Sequence, residues 1–313
     1  MKGRTVYLTA PGKLEMRNED INIQANQVLI KVSVCGVCTS DLHWYDGTIN
    51  AFPLAFGHEP SGIIAEVGRD VKGWKAGDRV AGFMPGYAEY AVGDPQNLVK
   101  VPENVPMEQA LVEPLACIVN VVRGAAVEPG DFTLCIGCGF MGLTIISLLA
   151  HSGASKIIAV DVLDNKLRLA KELGATHIIN AKKNNAAEEI EKITEGRGVD
   201  SAFEATASNA GVELATNALK IKRGKLLMVS WFQKPVTINP KLWEDRGTVV
   251  LWIQPGYSVS FKDDFRRAAL CLEKGYPPMD KLITHKFKLD EVQKAIDTVK
   301  AKPADYIKGV VIP

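Results

Sequence analysis

Gly137-x-Gly139-x-x-Gly142 falls where an apolar run, DFTLCIG (residues 131–137), meets a second run with helical spacing, FMGLTIISLLAHSG (140–153). A strand that turns into a helix through glycines commits the segment to a β-α-β unit, and such units build a parallel sheet covered on both faces. The residues that follow keep the alternation. KIIAVD reads as a strand, LDNKLRLAKELG as a helix stopped by glycine, THIIN as a strand and NAAEEIEKITEG as a helix. VDSAFEAT, the helix-like SNAGVELATNALK, and the apolar KLLMVSW and GTVVLWI complete the series. Residues 118–254 are therefore expected to form a doubly wound parallel-sheet domain.

The three glycines have different tasks in that setting. Gly137 permits the tight turn, Gly139 lets backbone approach a pyrophosphate, and Gly142 lets the helix pack on the strand. The helix N-terminus, at Phe140 and Met141, offers N–H donors and a positive dipole to phosphates. Asp161 ends the next strand nineteen residues after Gly142, where a carboxylate can accept hydrogen bonds from a ribose. A glycine turn near a surface aspartate would give the same letters, but the strand–turn–helix context favours a bound dinucleotide. The Asp161 carboxylate would repel a 2′-phosphate, so NAD is expected over NADP; Lys166 and Arg168 are the opposing cations.

Residues 1–117 have another texture. QVLIKVSV, SGIIAEVG, GDRVAGF and YAEYAV alternate apolar and polar positions between Gly, Pro and Asp, the pattern of an antiparallel β-domain. In the tail, residues 255–313, a charged helix (about Lys262 to Lys274), the strand LITHKF, the helix DEVQKAIDTVK and the strand KGVVIP are expected. The net charge of +1 gives no reason to expect nucleic acid or an anionic membrane as partner. No apolar run is long enough to cross a bilayer, and the charged, strand-like start is not a signal peptide, so a cytoplasmic location is expected.

The stretch VCGVCTSDLHWYDG (34–47) poses a choice. Cys35-x-x-Cys38 is a redox pair, half of a zinc knuckle, or one metal ligand beside an ordinary cysteine. His58 and Glu59 in FGHEP and Glu113 in LVEPLA supply an imidazole and carboxylates. Thiolate, imidazole and carboxylate make a plausible zinc set with one position left open, as catalytic zinc requires. Singly, each has a plainer reading: a strand cysteine is usually a small buried apolar residue, and a histidine beside glycine a satisfied turn residue.

Taken together, GVCTSDLH, GHEPSGIIAEVG, LVEPLA, GDRV and LITHKFKLDEVQKAI resemble, in order and approximate spacing, the zinc-dependent medium-chain alcohol dehydrogenases, and most closely their polyol (sorbitol and threonine dehydrogenase-like) branch. The resemblance covers nearly the whole chain. It implies a GroES-like β-barrel catalytic domain over 1–117, completed by 255–313, joined to a Rossmann NAD-binding domain, with the active site in the cleft between them. It implies one catalytic Zn²⁺ per subunit on Cys38 and His58, with Glu59 and Glu113 competing for the third place. Ser40 and His43 resemble the family's proton relay, Asp41 the carboxylate that orients the metal histidine, and Lys166 a residue near the adenosine ribose. The implied reaction moves a hydride between a secondary alcohol or polyol and NAD, and the implied assembly is a homodimer or homotetramer.

One departure stands out. The family usually carries a four-cysteine lobe for a structural zinc after GDRV; here only AGFMPG precedes YAEYAV, and the remaining cysteines are scattered. Cys38 is then the ligand and Cys35 a buried filler. Trp44, Tyr45, Phe52 and Leu115 are candidates for pocket lining, with core packing at least as good a reading of each. Two other functions fit parts of the pattern: a zinc-independent quinone or enoyl reductase on the same fold, which would lack the Cys/His/Glu set, and a non-catalytic dinucleotide-binding protein, which would need no proton relay.

Overall fold

The computed structural model describes residues 1–48, 51–253 and 258–313 of the chain. It divides into two compact units, Met1–Ala116 with Ser260–Pro313, and Cys117–Val259. The expected boundary at 254/255 lies outside the described residues.

The first unit begins with β1 (Lys2–Ala10) and β2 (Lys13–Asp20), followed by the long β3 (Val28–Val37). A short helix, α1 (Asp41–Tyr45), leads to β4 (Leu54–Ala55) and β5 (Glu59–Val67), and then to β6 (Arg79–Gly82), β7 (Tyr90–Gly93) and β8 (Leu98–Lys100). β1 pairs antiparallel with β2 and β4. β3 pairs antiparallel with β5 and β7, and β6 joins β5 to β8. β3 is apolar nearly throughout, because both of its faces and both of its edges are covered.

α2 (Val112–Ala125) carries the chain into the second unit. There β9 (Phe132–Ile136), α3 (Phe140–Leu149), β10 (Lys156–Asp161), α4 (Asp164–Glu172), β11 (His177–Asn180) and α5 (Ala186–Thr194) alternate. β12 (Ser201–Glu204), α6 (Asn209–Ala218), β13 (Lys225–Met228), α7 (Pro240–Arg246) and β14 (Val249–Trp252) complete it. All six strands run parallel in the order β11-β10-β9-β12-β13-β14. The order reverses between β9 and β12, and a doubly wound sheet binds ligands beyond the strand ends at such a point. α3 is buried on nearly every side, in keeping with its largely apolar sequence.

The chain then returns to the first unit with α8 (Phe261–Glu273), α9 (Met279–Leu282), β15 (Ile283–Lys288), α10 (Val292–Ala301) and β16 (Lys308–Ile312). β16 pairs parallel with β15 and antiparallel with β3, so the last strand slots into the first sheet. The first unit is thus antiparallel except at β15–β16, where α10 supplies the crossover that parallel strands need. KLLMVSW ends as a strand at Met228, and α7 was not visible in the sequence: it is seven residues long, opened by Asn239 as cap and Pro240 at its first position.

Candidate metal and cofactor sites

In the first unit the metal-ligand candidates come from two neighbouring strand ends. Cys38 follows β3 and Glu59 opens β5; Gly36 pairs with Glu59 in the ladder, which brings His58 beside Cys38. The donor atoms of Cys38, His58 and Glu59 lie within 4.8 Å of one another. The ligand atoms of a tetrahedral zinc are about 3.3–3.8 Å apart at ordinary bond lengths, so a contraction of about 1 Å closes the set on an ion. It is the one such group of three among the described residues. Glu113, buried in the first turn of α2, is not part of it.

The imidazole is held in one orientation. Asp41 Oδ1 lies 3.0 Å from His58 Nδ1, and an N–H there leaves Nε2 with its lone pair outward. Asp41 is in turn fixed: Cys38 N–H donates to its Oδ2 at 3.2 Å and the Tyr87 hydroxyl to the same oxygen at 2.6 Å. Ser40 Oγ donates to Cys38 Sγ at 3.1 Å, and His43 follows one turn later in α1. Burial opposes a charge on His58, yet Asp41 and then Cys38 lift its pKa well above the ordinary 6.5. Such anionic surroundings suit a divalent cation.

Lys308 and Tyr87 are residues the sequence reading did not single out. Lys308, at the start of β16, places Nζ 2.9 Å from Glu59 Oε1 and 2.7 Å from Oε2, with 4 % and 1 % of the two residues exposed. The hydrogen-bond geometry is good only at Oε1; Oε2 shares the charge but has no directed donor. Burial alone would discharge Lys308, but Glu59, and behind it Cys38, hold its pKa above the ordinary value. Tyr87 is fully buried, its ring edge-on to Phe56 at 5.5 Å. No local signal marks either residue; only the folded strand pairing places them here.

Cys35 is completely buried, and burial first, then Glu59 and Asp41, push its thiol well up, so it is an inert filler. All six cysteines are free. Leu115 is buried, and Trp44, Tyr45 and Phe52 pack against the core cluster of Leu42, Phe56 and Tyr87, so for these four the packing reading is the better one.

In the second unit the glycine turn meets the requirements read from its sequence. Gly137 has φ +96°, and a Cβ there would lie 2.8 Å from the Ala205 carbonyl oxygen, in the turn after β12. A Cβ on Gly142 would overlap Gly137 O, so the helix packs on the strand only through glycine. Gly139 caps α3 with no side-chain hydrogen bond, and a Cβ there would meet nothing within 4 Å. The space in front of Gly139, at the helix N-terminus where Phe140 and Met141 lie, is thus open enough for phosphate oxygens. Asp161 Oδ2 accepts from Cys138 N–H at 2.7 Å, and Oδ1 from Val162 and Leu163 N–H at 2.7 and 2.9 Å. The carboxylate is therefore fixed along the turn by three backbone N–H groups. Lys166 lies in the first turns of α4, close enough to Cys138 to oppose the upward push that burial gives that thiol.

Comparison with known proteins finds matches to both the first and the second part of the chain. Residues 24–103 match the alcohol dehydrogenase GroES-like domain and residues 141–269 the zinc-binding dehydrogenase family. (R,R)-butanediol dehydrogenase of Bacillus subtilis is 32 % identical, over 94 % of this chain and 95 % of its own. Sorbitol dehydrogenase of the same organism is 29 % identical, over 100 % and 97 %. A zinc-binding dehydrogenase from Sinorhizobium meliloti, solved with NADP, is 26 % identical with a TM-score of 0.89 and full coverage of both chains. The butanediol dehydrogenase alignment spans 335 positions against 313 residues here, so that relative carries segments this chain lacks. The chain belongs to the zinc-dependent medium-chain alcohol dehydrogenases, in their polyol branch.

Proposed function

We propose that the chain is an NAD-dependent alcohol dehydrogenase that moves a hydride between a secondary alcohol or polyol and the nicotinamide, with one zinc per chain. The observation that carries this reading is the cluster of Cys38, His58 and Glu59, in which Asp41 frees His58 Nε2 for a metal. When bound, zinc would acidify an alcohol hydroxyl toward neutrality. Cys38, His58 and Glu59 hold it, and Asp41 and Tyr87 keep the imidazole in one tautomer. Ser40 Oγ takes the hydroxyl proton as it releases its own hydrogen, turned away from Cys38 Sγ, toward His43 and solvent.

The glycine turn, Phe140, Met141, Asp161 and Lys166 form the dinucleotide site. Asp161 supports NAD, because a 2′-phosphate would meet a carboxylate already fixed by three N–H groups. The Sinorhizobium relative solved with NADP is the reason to measure both cofactors. Glu59 supports its own claim to the third metal position over Glu113, since only Glu59 lies in the donor cluster.

The assembly we propose is a homodimer or homotetramer. β14 ends the parallel sheet with Val249 and Trp252 exposed, and an apolar edge strand invites pairing. Six free thiols agree with the reducing cytoplasm, and no helix among the described residues is long and apolar enough to cross a membrane. Metal analysis of protein purified without added zinc, with NAD reduction on a panel of diols, polyols and simple secondary alcohols, tests the reading. Protein that holds no zinc and reduces NAD with none of them would refute it.

A further inference from the structure

Beside His58 stands a side chain with no part in holding a metal. The Phe83 ring centroid is 5.6 Å from that of the imidazole, tilted by 46°. Asp41 and Tyr87, both buried, close the Nδ1 side of the histidine. Phe83 stands beside the imidazole without touching its Asp41 partner in any hydrogen bond, and it is itself 51 % exposed.

Phe83 is not loosely hung. It directly follows β6, in the short connection to β7. Three residues on, Gly86 packs so tightly that a Cβ would lie 2.7 Å from Pro60 and 2.8 Å from Cys35 Sγ. The N–H groups of Gly86 and Tyr87 both donate to Phe56 O, at 3.2 and 2.9 Å. From the other side Phe261 meets Phe83 edge-on at 6.5 Å and is itself stacked edge-on against Phe265 at 4.6 Å. Phe265 is in the core. The aromatic row thus runs from the buried interior to the candidate metal histidine, and its last ring faces outward.

We propose that Phe83, backed by Phe261, is the wall along which the substrate's carbon chain lies. The preferred substrate is then an alcohol carrying an alkyl or aryl group beside the carbinol, such as a 2-alkanol, and not a fully hydroxylated chain such as a hexitol. This rests on the alcohol dehydrogenase reading and narrows it. A methylene laid on the ring leaves water and improves binding by about two- to fourfold. A hydroxyl at the same place loses its water partners and finds none on a phenyl face.

Calorimetry on the zinc-loaded protein saturated with NAD, titrated with 2-butanone through 2-octanone, tests the wall without turnover, since ketone and NAD are both oxidised. Alongside it, kcat/KM is measured for the matching 2-alkanols and for xylitol and sorbitol. The expected result is a Kd falling about two- to fourfold per methylene, a parallel rise in kcat/KM, a nearly flat series in Phe83→Ser and a partly flattened one in Phe261→Ala. A flat ketone series in the unmodified protein, an unchanged slope in Phe83→Ser, or a hexitol used better than 2-hexanol would overturn the proposal. If no alcohol of either kind reduces NAD, the dehydrogenase reading fails, while the ketone series still decides the wall.

Discussion

Replacing Lys308 with methionine would leave a buried carboxylate without its counter-charge. The ammonium lies 2.7–2.9 Å from both Glu59 oxygens, and neither residue is more than 4 % exposed. At such a separation and an effective dielectric near 20, the attraction is about 6 kcal/mol. Much of that offsets the desolvation of the two charges, and removal of one partner of a buried pair destabilises by about 3–5 kcal/mol. The unit concerned, Met1–Ala116 with Ser260–Pro313, is of a size for which each kcal/mol shifts Tm by about 2–4 °C, so a loss of roughly 6–20 °C is expected. Because the folded pKa of Lys308 is raised, its contribution is fully present below the ordinary value of 10.5 and disappears only as pH climbs through the higher folded value. Calorimetry and urea unfolding of metal-free protein at pH 7.5 therefore see all of it. Added zinc should restore part of the loss by neutralising Glu59, and Glu59→Gln with Lys308→Met should be more stable than Lys308→Met alone. A Lys308→Met protein within 1 kcal/mol of the parent, or a double variant no better than the single, would refute the reasoning.

Cys38→Ala should reduce bound zinc from one per chain to near zero and abolish turnover, with NAD affinity from fluorescence titration nearly unchanged. Glu59→Ala should lose zinc more readily than Glu113→Ala on dialysis against chelator; equal losses would count against the assignment. Tyr87→Phe, which removes the 2.6 Å hydrogen bond to Asp41, should weaken zinc about 10–100-fold in competition with a chromogenic chelator. Asp161→Ser should narrow the kcat/KM preference for NAD over NADP by about one to two decades, chiefly by weakening NAD. Acid should act on the second unit through Asp200: burial would raise its pKa, but Arg197, Lys220 and the Phe132 N–H pull it down to about 2. Its stabilisation, about 1–2 kcal/mol after allowance for screening, is present above pH 4 and lost as pH falls toward 2, so Asp200→Asn should flatten urea midpoints in that window.

What the sequence disclosed and what it hid follow from the range of the interactions. The tight turn at Gly137 and the close packing at Gly142 were legible because they are backbone features confined to one strand–turn–helix passage. Alternating apolar runs placed the strands of the parallel sheet, although KLLMVSW overshot: Val229 and Ser230 donate to Glu204 O and leave the ladder. Cys38, His58 and Glu59 became candidates through a motif, and β3–β5 pairing brings their donor atoms together. Lys308 was unreadable, since a lysine at the start of a strand is ordinarily exposed and its partner lies 249 positions away. Phe83 looked like one more apolar residue in AGFMPG; what distinguishes it is the histidine and phenylalanine that other segments bring to it.

The insertion of β16 between β15 and β3 has a consequence for how the protein is made. Cys38, His58 and Glu59 leave the ribosome early, whereas Lys308 follows after the whole parallel-sheet unit has been synthesised. At about 5–20 residues per second that is an interval of roughly 10–50 s. During it the edge of β3 that β16 will cover is open and Glu59 has no cation, while the contiguous second unit has all its strands in hand. The order of folding thus departs from the order of synthesis: the middle of the chain can settle first, and the two ends complete each other last. A nascent chain halted before Lys308 would display an unpaired strand edge beside a thiol and a carboxylate, a form that a cell's quality control is equipped to recognise.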